Sequence, residues 1–253
     1  MSVKKWFFSV VVCAVCVSCA EQFTESYNIQ GASSVSVLDG SKLYLKVQEG
    51  QELKSIDSCE IIHGGFGFTG NFDSTRIAML SLRDAGMPLV IEKGDIKVNI
   101  DRTGNKVSGS PLNEELYEYM DKLLQLNNQR GELGHKQIQM MLEGVDERTI
   151  AEKLSKEENV LLMQIDSVET HFILNHLDNV LGPCAFQMLT AGFQYPILTP
   201  QIEEIMGKAT DRFKNDPYVS QYYKEAKEIL ARMKGELDDA PAPAAASPEA
   251  PQP

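Results

Sequence analysis

Two patterns of hydrophobic and polar positions divide the chain. From Tyr27 to about residue 110, short apolar stretches alternate in part with polar residues, as at Leu43, Leu45 and Val47, and glycine, aspartate or asparagine separates them. This alternation is typical of half-buried antiparallel strands. It therefore predicts a β domain over residues 27–110.

From Ser110 onwards, apolar residues recur every three or four positions. Ser110 and the proline after it supply a helix cap and a first helical residue, so a long helix is predicted to begin here, with Gly131 and Gly134 as candidate interruptions. A second long helix is predicted after Asp146 and keeps the same spacing as far as Phe172. We expect the two helices to pair as a hairpin.

Three shorter helices are predicted beyond the hairpin. The first covers roughly residues 185–193, and Thr199 and Asp216, each followed by proline, open the other two. Helical structure is expected to stop near Gly235, so the helical region spans residues 111–235. The predicted fold class is α+β, with an N-terminal antiparallel β-sandwich-like domain followed by an α-helical hairpin and short helices.

The last segment, residues 236–253, is rich in proline and alanine. From Asp238 onwards it has no large apolar residue with which to offset the entropy cost of ordering, so a disordered tail is predicted. A passive spacer is favoured over a segment that docks a partner.

The N-terminus has the layout of a secretory signal. Lys4 and Lys5 precede an uncharged apolar run from Trp6 to Val17, which is shorter than the 18 to 20 apolar residues that span a bilayer. We therefore predict a signal peptide over residues 1–18.

Cys19 stands directly after this signal and follows a small residue, Ser18, which resembles a bacterial lipobox. Lipidation of the Cys19 thiol would anchor the mature chain to a membrane, and residues 19–26 would form a linker. Cys16 stands where leucine is usual in that motif. The alternatives are ordinary signal cleavage near Ala20 and an uncleaved anchor.

Cysteine spacing does not predict a metal cluster or a redox dithiol. Cys13, Cys16 and Cys19 lack the nearby fourth thiolate of a ferredoxin motif, and the first two lie inside the apolar run. Cys59 and Cys184 fall in different predicted regions and lack C-x-x-C spacing. Two inert buried thiols are favoured over a disulfide between them.

Charge excludes some classes of partner. The chain has 36 acidic and 24 basic residues, for a net charge of −12, and no basic patch that could neutralise phosphates. Nucleic acid is therefore not an expected partner, and neither is an anionic lipid surface bound through charge. The membrane partner is expected through the lipid anchor alone.

No motif identifies a reaction, a cofactor or a metal. Gly65 to Gly70 matches G-x-G-x-x-G, but strand-like residues surround it where a dinucleotide site requires a strand followed by a helix. A glycine-bearing hairpin is the better interpretation. His171 and His176 are five positions apart, whereas a helical zinc motif needs four. No catalytic, cofactor-binding or metal-ligating residue is predicted.

Several stretches in fixed order resemble the small N-terminal β domain of unknown function in envelope lipoproteins of Bacteroidota. They are Tyr27–Gly31, Gly40–Leu45, Ile56–Ser58, Gly65–Gly70, Pro88–Glu92, Gly94–Val98 and Gly109–Asn113. In that family the β domain usually precedes a helical linker and a thioredoxin-like, peroxiredoxin-related domain with a W-C-x-x-C pair. Here the proline-rich tail stands in its place, so the family's redox residues have no matching positions.

The resemblance and the compartment together suggest a function. We expect a non-catalytic, lipid-anchored cell-envelope protein, located at the outer membrane and facing the periplasm, that acts as an interaction or ligand-binding module with an envelope protein partner. The alternative is an accessory component of thiol-disulfide chemistry, acting through Cys59 and Cys184 or with a thioredoxin-like partner. Glycan or peptide capture is a third possibility that rests on fold analogy.

Overall fold

The computed structural model describes residues 25–50, 52–83 and 85–235. The predicted signal peptide, the lipidation site at Cys19 and the predicted tail lie outside these residues. Within the described part of the chain, no helix is long and apolar enough to cross a bilayer.

Within the described residues, eight strands precede the helices. They are β1 (Glu25–Ser33), β2 (Lys42–Glu49), β3 (Glu52–Glu60), β4 (Gly65–Phe72), β5 (Arg76–Leu82), β6 (Ala85–Ile91), β7 (Gly94–Ile100) and β8 (Asn105–Ser108). A short 3₁₀ turn, Ser36–Leu38, follows β1. The strands form two four-stranded sheets with the orders β4-β1-β7-β8 and β3-β2-β5-β6. The predicted sandwich-like domain is therefore confirmed.

One pairing departs from the expected antiparallel pattern. β1 runs parallel to β7, with Ile29 opposite Ile96, while every other pairing of the named strands is antiparallel. The alternation of polar and apolar residues shows which side chains point inwards but not which strand lies alongside. The sequence pattern therefore did not predict the parallel pairing of β1 with β7.

The sandwich core consists of the inward-facing residues of both sheets. Ile29 and Ile96 in one sheet, and Leu45 and Leu80 in the other, are at most 1% exposed. Each fully buried aliphatic side chain of this kind contributes about 1.5 to 3 kcal/mol to folding.

The G-x-G-x-x-G stretch lies within β4, as strand-like residues predicted. Two aromatic rings cover glycines on β1 and β4: Phe66 lies over its cross-strand partner Gly31, and Tyr27 lies over its partner Gly70. A Cβ atom added at Gly31 would stand 2.0 Å from the Phe66 ring. The glycines therefore provide room for aromatic side chains and are not part of a phosphate-binding loop.

A tight turn joins β3 to β4 through Ile62, His63, Gly64 and Gly65. His63 and Gly64 have φ angles of 51° and 76°, the left-handed values that a two-residue type I′ hairpin turn requires at both central positions. A Cβ atom added at Gly64 would stand 2.7 Å from the backbone oxygen of Ser33, so this position requires glycine for two reasons.

In the part of the chain that the structure describes, six helices follow the sheets. They are α1 (Pro111–Leu142), α2 (Glu147–Asn175), α3 (Leu181–Thr190), α4 (Pro200–Lys208), α5 (Asp211–Lys214) and α6 (Pro217–Met233). Side chains of Asp146, Thr199 and Asp216 accept hydrogen bonds from the first backbone amides of α2, α4 and α6, as their sequence positions predicted.

Four details of the helical region differ from the sequence prediction. Ser110 stands at the N-cap of α1, but its side chain accepts no backbone amide there; the Glu92 carboxylate accepts those of Leu112 and Asn113 instead. α1 continues through Gly131 and Gly134 without a break, because an isolated glycine inside a helix costs only about 1 kcal/mol relative to alanine. α3 begins four residues earlier than expected, at Leu181, and ends at Thr190. The short helix α5 was not predicted, since a single turn leaves almost no periodic signal.

Candidate functional site

A buried polar cluster fixes the start of α1 against β6. The Asn113 side chain, which has no exposed surface, accepts a hydrogen bond from the Val90 amide at 2.8 Å and donates one to the Val90 carbonyl at 2.8 Å. It thereby pairs with the free edge of β6 as a neighbouring strand would. Tyr117, one turn further along α1, donates to the Pro88 carbonyl at 3.0 Å.

Glu92 completes this cluster. Glu92 is 8% exposed, and its carboxylate accepts hydrogen bonds from the backbone amides of Leu112 and Asn113, at 3.0 and 3.2 Å. A carboxylate at this position satisfies amides that have no partner within the helix and interacts favourably with the helix dipole. We call Glu92, Asn113 and their hydrogen bonds to α1 and Val90 the clamp, since they join the β domain to the long helix.

Beyond the clamp, α1 and α2 pair as the predicted hairpin. Leu126 of α1 packs with Leu161 and Ile165 of α2 along the seam between the helices. Further out, Lys136 forms a salt bridge with Glu157 at 2.6 Å. Since the helices run antiparallel, this pair sets which residues of the two helices lie level with each other.

The outer half of the hairpin exposes large apolar side chains. Ile138, Met141 and Leu142 on α1, and Val160 and Met163 on α2, are between 54% and 84% exposed. Clusters of exposed apolar residues on a soluble surface mark interaction sites more often than single ones do. This outer half is the candidate functional surface of the described residues.

The two sides of the hairpin differ. One side forms a shallow groove of about 460 Å³ between α1 and α2, lined by Gln129, Lys156, Glu157, Val160 and Gln164 together with the edges of Leu133 and Leu161. This groove is open to solvent, and four of its seven lining residues are polar. Such a shape does not resemble the enclosed, mainly apolar pockets that hold small molecules.

The opposite side carries Gly131, Gly134, Ile138 and Met141, and we call these four residues the glycine face. Successive residues of an α-helix are turned by about 100° about its axis. Relative to the seam residue Leu133, the four residues are turned by roughly 80° to 160° in one direction, and Gln129 is turned by roughly 40° in the other. Ile138 is 58% exposed and Met141 is 61% exposed. The glycine face therefore combines two large apolar side chains with two positions that lack a side chain.

Nothing in the described structure explains these two glycines. Both have ordinary helical backbone angles, and a Cβ atom added at either position would meet no atom within 4 Å. Relative to alanine, each costs about 1 kcal/mol of helix stability. Within the hairpin itself, alanine would fit and would be more stable.

A second polar cluster lies where α2 meets α3. His176 is buried, its Nε2 is 3.2 Å from Oε2 of Glu115, and its Nδ1 is 2.9 Å from Nδ2 of Asn179. Because Oδ1 of Asn179 accepts the Leu181 amide, its Nδ2 donates to the imidazole, so His176 is neutral and donates from Nε2 to Glu115. Burial lowers the pKa of His176.

An aromatic stack lies beside this cluster. The ring of Tyr119 stacks on Phe172 with a centroid distance of 4.1 Å, and its buried hydroxyl has no hydrogen-bond partner among the described residues. Burial raises the pKa of Tyr119. Tyr119 does not line the groove between α1 and α2, so we assign its hydroxyl no ligand.

The two cysteines that lie in the described residues are both free. Cys59 is half-buried on β3 and Cys184 is buried on α3. Burial raises the pKa of Cys59 and raises that of Cys184 to about 11. A thiol with a raised pKa is a weak nucleophile at neutral pH, because the thiolate is the reactive form. The two thiols are not brought together.

The histidines are not brought together either. His171 is exposed and His176 is buried, and the described residues contain no group of three or more histidine, cysteine, aspartate or glutamate side chains arranged to hold a metal ion.

The sequence analysis did not single out Asn113 or Glu92, since a polar residue in a first helical turn or at a strand end is most often exposed. Their burial depends on partners about 20 residues away.

Comparison with known proteins gives one match. No curated protein and no solved structure matches the chain. The family described as "Domain of unknown function (DUF4369)" matches residues 27–116, which is about a third of the chain. The matched range contains most of β1, all the other strands and the clamp residues Glu92 and Asn113, so the sandwich together with the start of α1 is similar to this domain of unknown function.

Proposed function

We propose that the protein is a non-catalytic, lipid-anchored component of a bacterial cell envelope, and that its β domain and helical region form an interaction module. The observation that carries this proposal is the pair of exposed apolar side chains, Ile138 and Met141, on the glycine face of the hairpin. The clamp holds this hairpin at a fixed angle to the β domain, and a rigid element that presents apolar side chains is suited to binding another protein.

The location is part of the same proposal. The basic and apolar N-terminus, the small residue before Cys19 and the resemblance to Bacteroidota envelope lipoproteins support acylation at Cys19 and attachment to the outer membrane on its periplasmic side. Acyl chains would contribute about 0.8 kcal/mol for each methylene buried in the bilayer. An acidic chain needs such an anchor, because its charge does not favour anionic lipid.

The alternative, an accessory role in thiol-disulfide chemistry, is not supported by the two cysteines that the structure describes. Redox-active cysteines have a lowered pKa and access to solvent. Cys59 and Cys184 have a raised pKa, and Cys184 is buried. A role beside a thioredoxin-like partner would then depend on binding, which the interaction module already describes.

Two measurements test the proposal. Metabolic labelling with a fatty acid should mark the wild-type protein and fail to mark Cys19→Ser, which should also leave the membrane fraction. A photo-crosslinking amino acid at Ile138 should form a defined adduct in intact cells, while the same group at Gln129, on the groove side of α1, should form far less. Equal cross-linking from the two positions would show that the glycine side of α1 is not the binding surface. Substrate turnover by the purified protein would contradict the non-catalytic role.

A further inference from the structure

We infer that the glycine face binds a second copy of this chain, through antiparallel pairing of α1 with the α1 of the other copy. The inference deepens the proposed function, since it names the partner of the hairpin. It rests on the spacing of this face, which places two large side chains, Ile138 and Met141, at the same separation as two glycines, Gly131 and Gly134.

The spacing within the glycine face is self-complementary. Gly131 and Gly134 are three residues apart, and so are Ile138 and Met141, which follow seven residues later on the same side of the helix. In an antiparallel pair with its two-fold axis level with Lys136, Gly131 lies opposite Met141 of the second copy and Gly134 lies opposite its Ile138. The two-fold axis repeats both contacts, as an isologous interface requires.

This pairing gives the exposed glycines a role. The open space at Gly131 and Gly134 would receive side chains that are 61% and 58% exposed in the single chain. It is a knob-into-hole arrangement in which a missing Cβ allows closer approach of the helices. A partner of any other kind would also have to present two large apolar side chains one helical turn apart, and this chain presents them itself.

Charge does not oppose the pairing. None of the four residues of the glycine face is charged, although the chain as a whole is acidic. Lys136, which lies level with the proposed axis, is directed to the groove side, where Glu157 neutralises it at 2.6 Å. The two lysines of a dimer are therefore paired within their own copies.

Cysteine cross-linking in cells that make the full chain tests the geometry. In the variant carrying Gly131→Cys and Met141→Cys, the two sites are about 15 Å apart along one helix, too far for a disulfide within a chain. Mild oxidation should give a covalent dimer that reduction abolishes. The matched control carries Gln129→Cys and Gln139→Cys, which have the same ten-residue separation on the other side of α1. Wild-type chain measures the background from the native cysteines.

A second variant separates the interface from helix stability. Gly131→Ala with Gly134→Ala should raise the helix stability of the purified full chain but weaken its dimerisation at least tenfold in sedimentation velocity. The inference is overturned if the wild-type chain is monomeric, if both cysteine pairs cross-link equally, or if the alanine variant dimerises as well as wild type. If the glycine face captures a different protein while the cysteine pair gives no dimer, the interaction module stands and the self-pairing falls.

Discussion

Replacing Asn113 with aspartate tests whether the clamp joins the β domain to α1. The substitution keeps the shape and the oxygen that accepts from the Val90 amide, but it exchanges the donating Nδ2 for a second oxygen. That oxygen would face the Val90 carbonyl, Ser110 Oγ and Glu92 Oε1, which now accept at 2.8, 2.9 and 3.3 Å. The contacts to the Val90 carbonyl and Glu92 thus lose their donor, and the second becomes a repulsion between carboxylates, whereas the Ser110 hydroxyl can turn and donate to the new oxygen.

The magnitude follows from burial. A buried acceptor left without a donor costs about 1 to 3 kcal/mol, and an uncompensated charge in the interior costs about 3 to 5 kcal/mol. A negative charge in the first turn of α1 contributes about 1 to 2 kcal/mol of stabilisation through the helix dipole, which offsets part of this cost. We therefore expect Asn113→Asp to lower the free energy of unfolding by about 4 kcal/mol at neutral pH. The loss should be smaller in mild acid, where a protonated carboxyl regains one donor.

Urea unfolding followed by circular dichroism measures this effect. Asn127→Asp is the matched control, because Asn127 lies on the exposed surface of the same helix and its Nδ2 donates only to the Leu123 carbonyl. Surface changes of this kind shift stability by about 0.5 kcal/mol or less. A difference below about 1 kcal/mol between the two variants would show that the clamp contributes little and that the reasoning from burial is wrong.

Three further predictions concern the turn, the buried histidine and the thiols. Gly64→Ala should cost about 2 kcal/mol more in thermal or urea unfolding than Gly40→Ala, since both glycines have a φ of 76° but only Gly64 has a backbone oxygen in the way. Because burial lowers the pKa of His176 in the folded state, stability should fall as pH drops below about 6.5, where the unfolded chain takes up the proton first, and His176→Gln should flatten that slope. A wild-type curve without the slope would contradict this. Cys184, whose pKa is about 11, should react with an alkylating reagent at pH 8 only after unfolding, and more slowly than Cys59. Mass spectrometry of the native protein decides the order.

The sequence predicted the parts of the fold that depend on local pattern. Alternation around Leu45 indicated strands, and Asp146 and Thr199 marked helix starts, because a cap residue acts on amides two or three positions away. The parallel pairing of β1 with β7 was not predicted, since no local signal records which strand lies alongside. Gly131 was a candidate break, yet α1 continues beyond it. Leu133, which follows the glycine, still packs against the seam with α2.

The candidate surface was less predictable than the fold. The hairpin was expected, but its exposed side was not, because a helical wheel shows faces and not which face a neighbour covers. Asn113 was missed for a related reason. Its burial depends on Val90, and nothing in the residues around either position indicates that they meet.

The clamp has a mechanical consequence. α1 has 32 residues and therefore extends for about 48 Å from its fixed end. It acts as a lever arm, and a tilt of about 5° at Asn113 would displace the loop between α1 and α2 by about 4 Å. A force on the loop between α1 and α2 would therefore act as a torque on the hydrogen bonds between Asn113 and Val90, at the edge of the sheet.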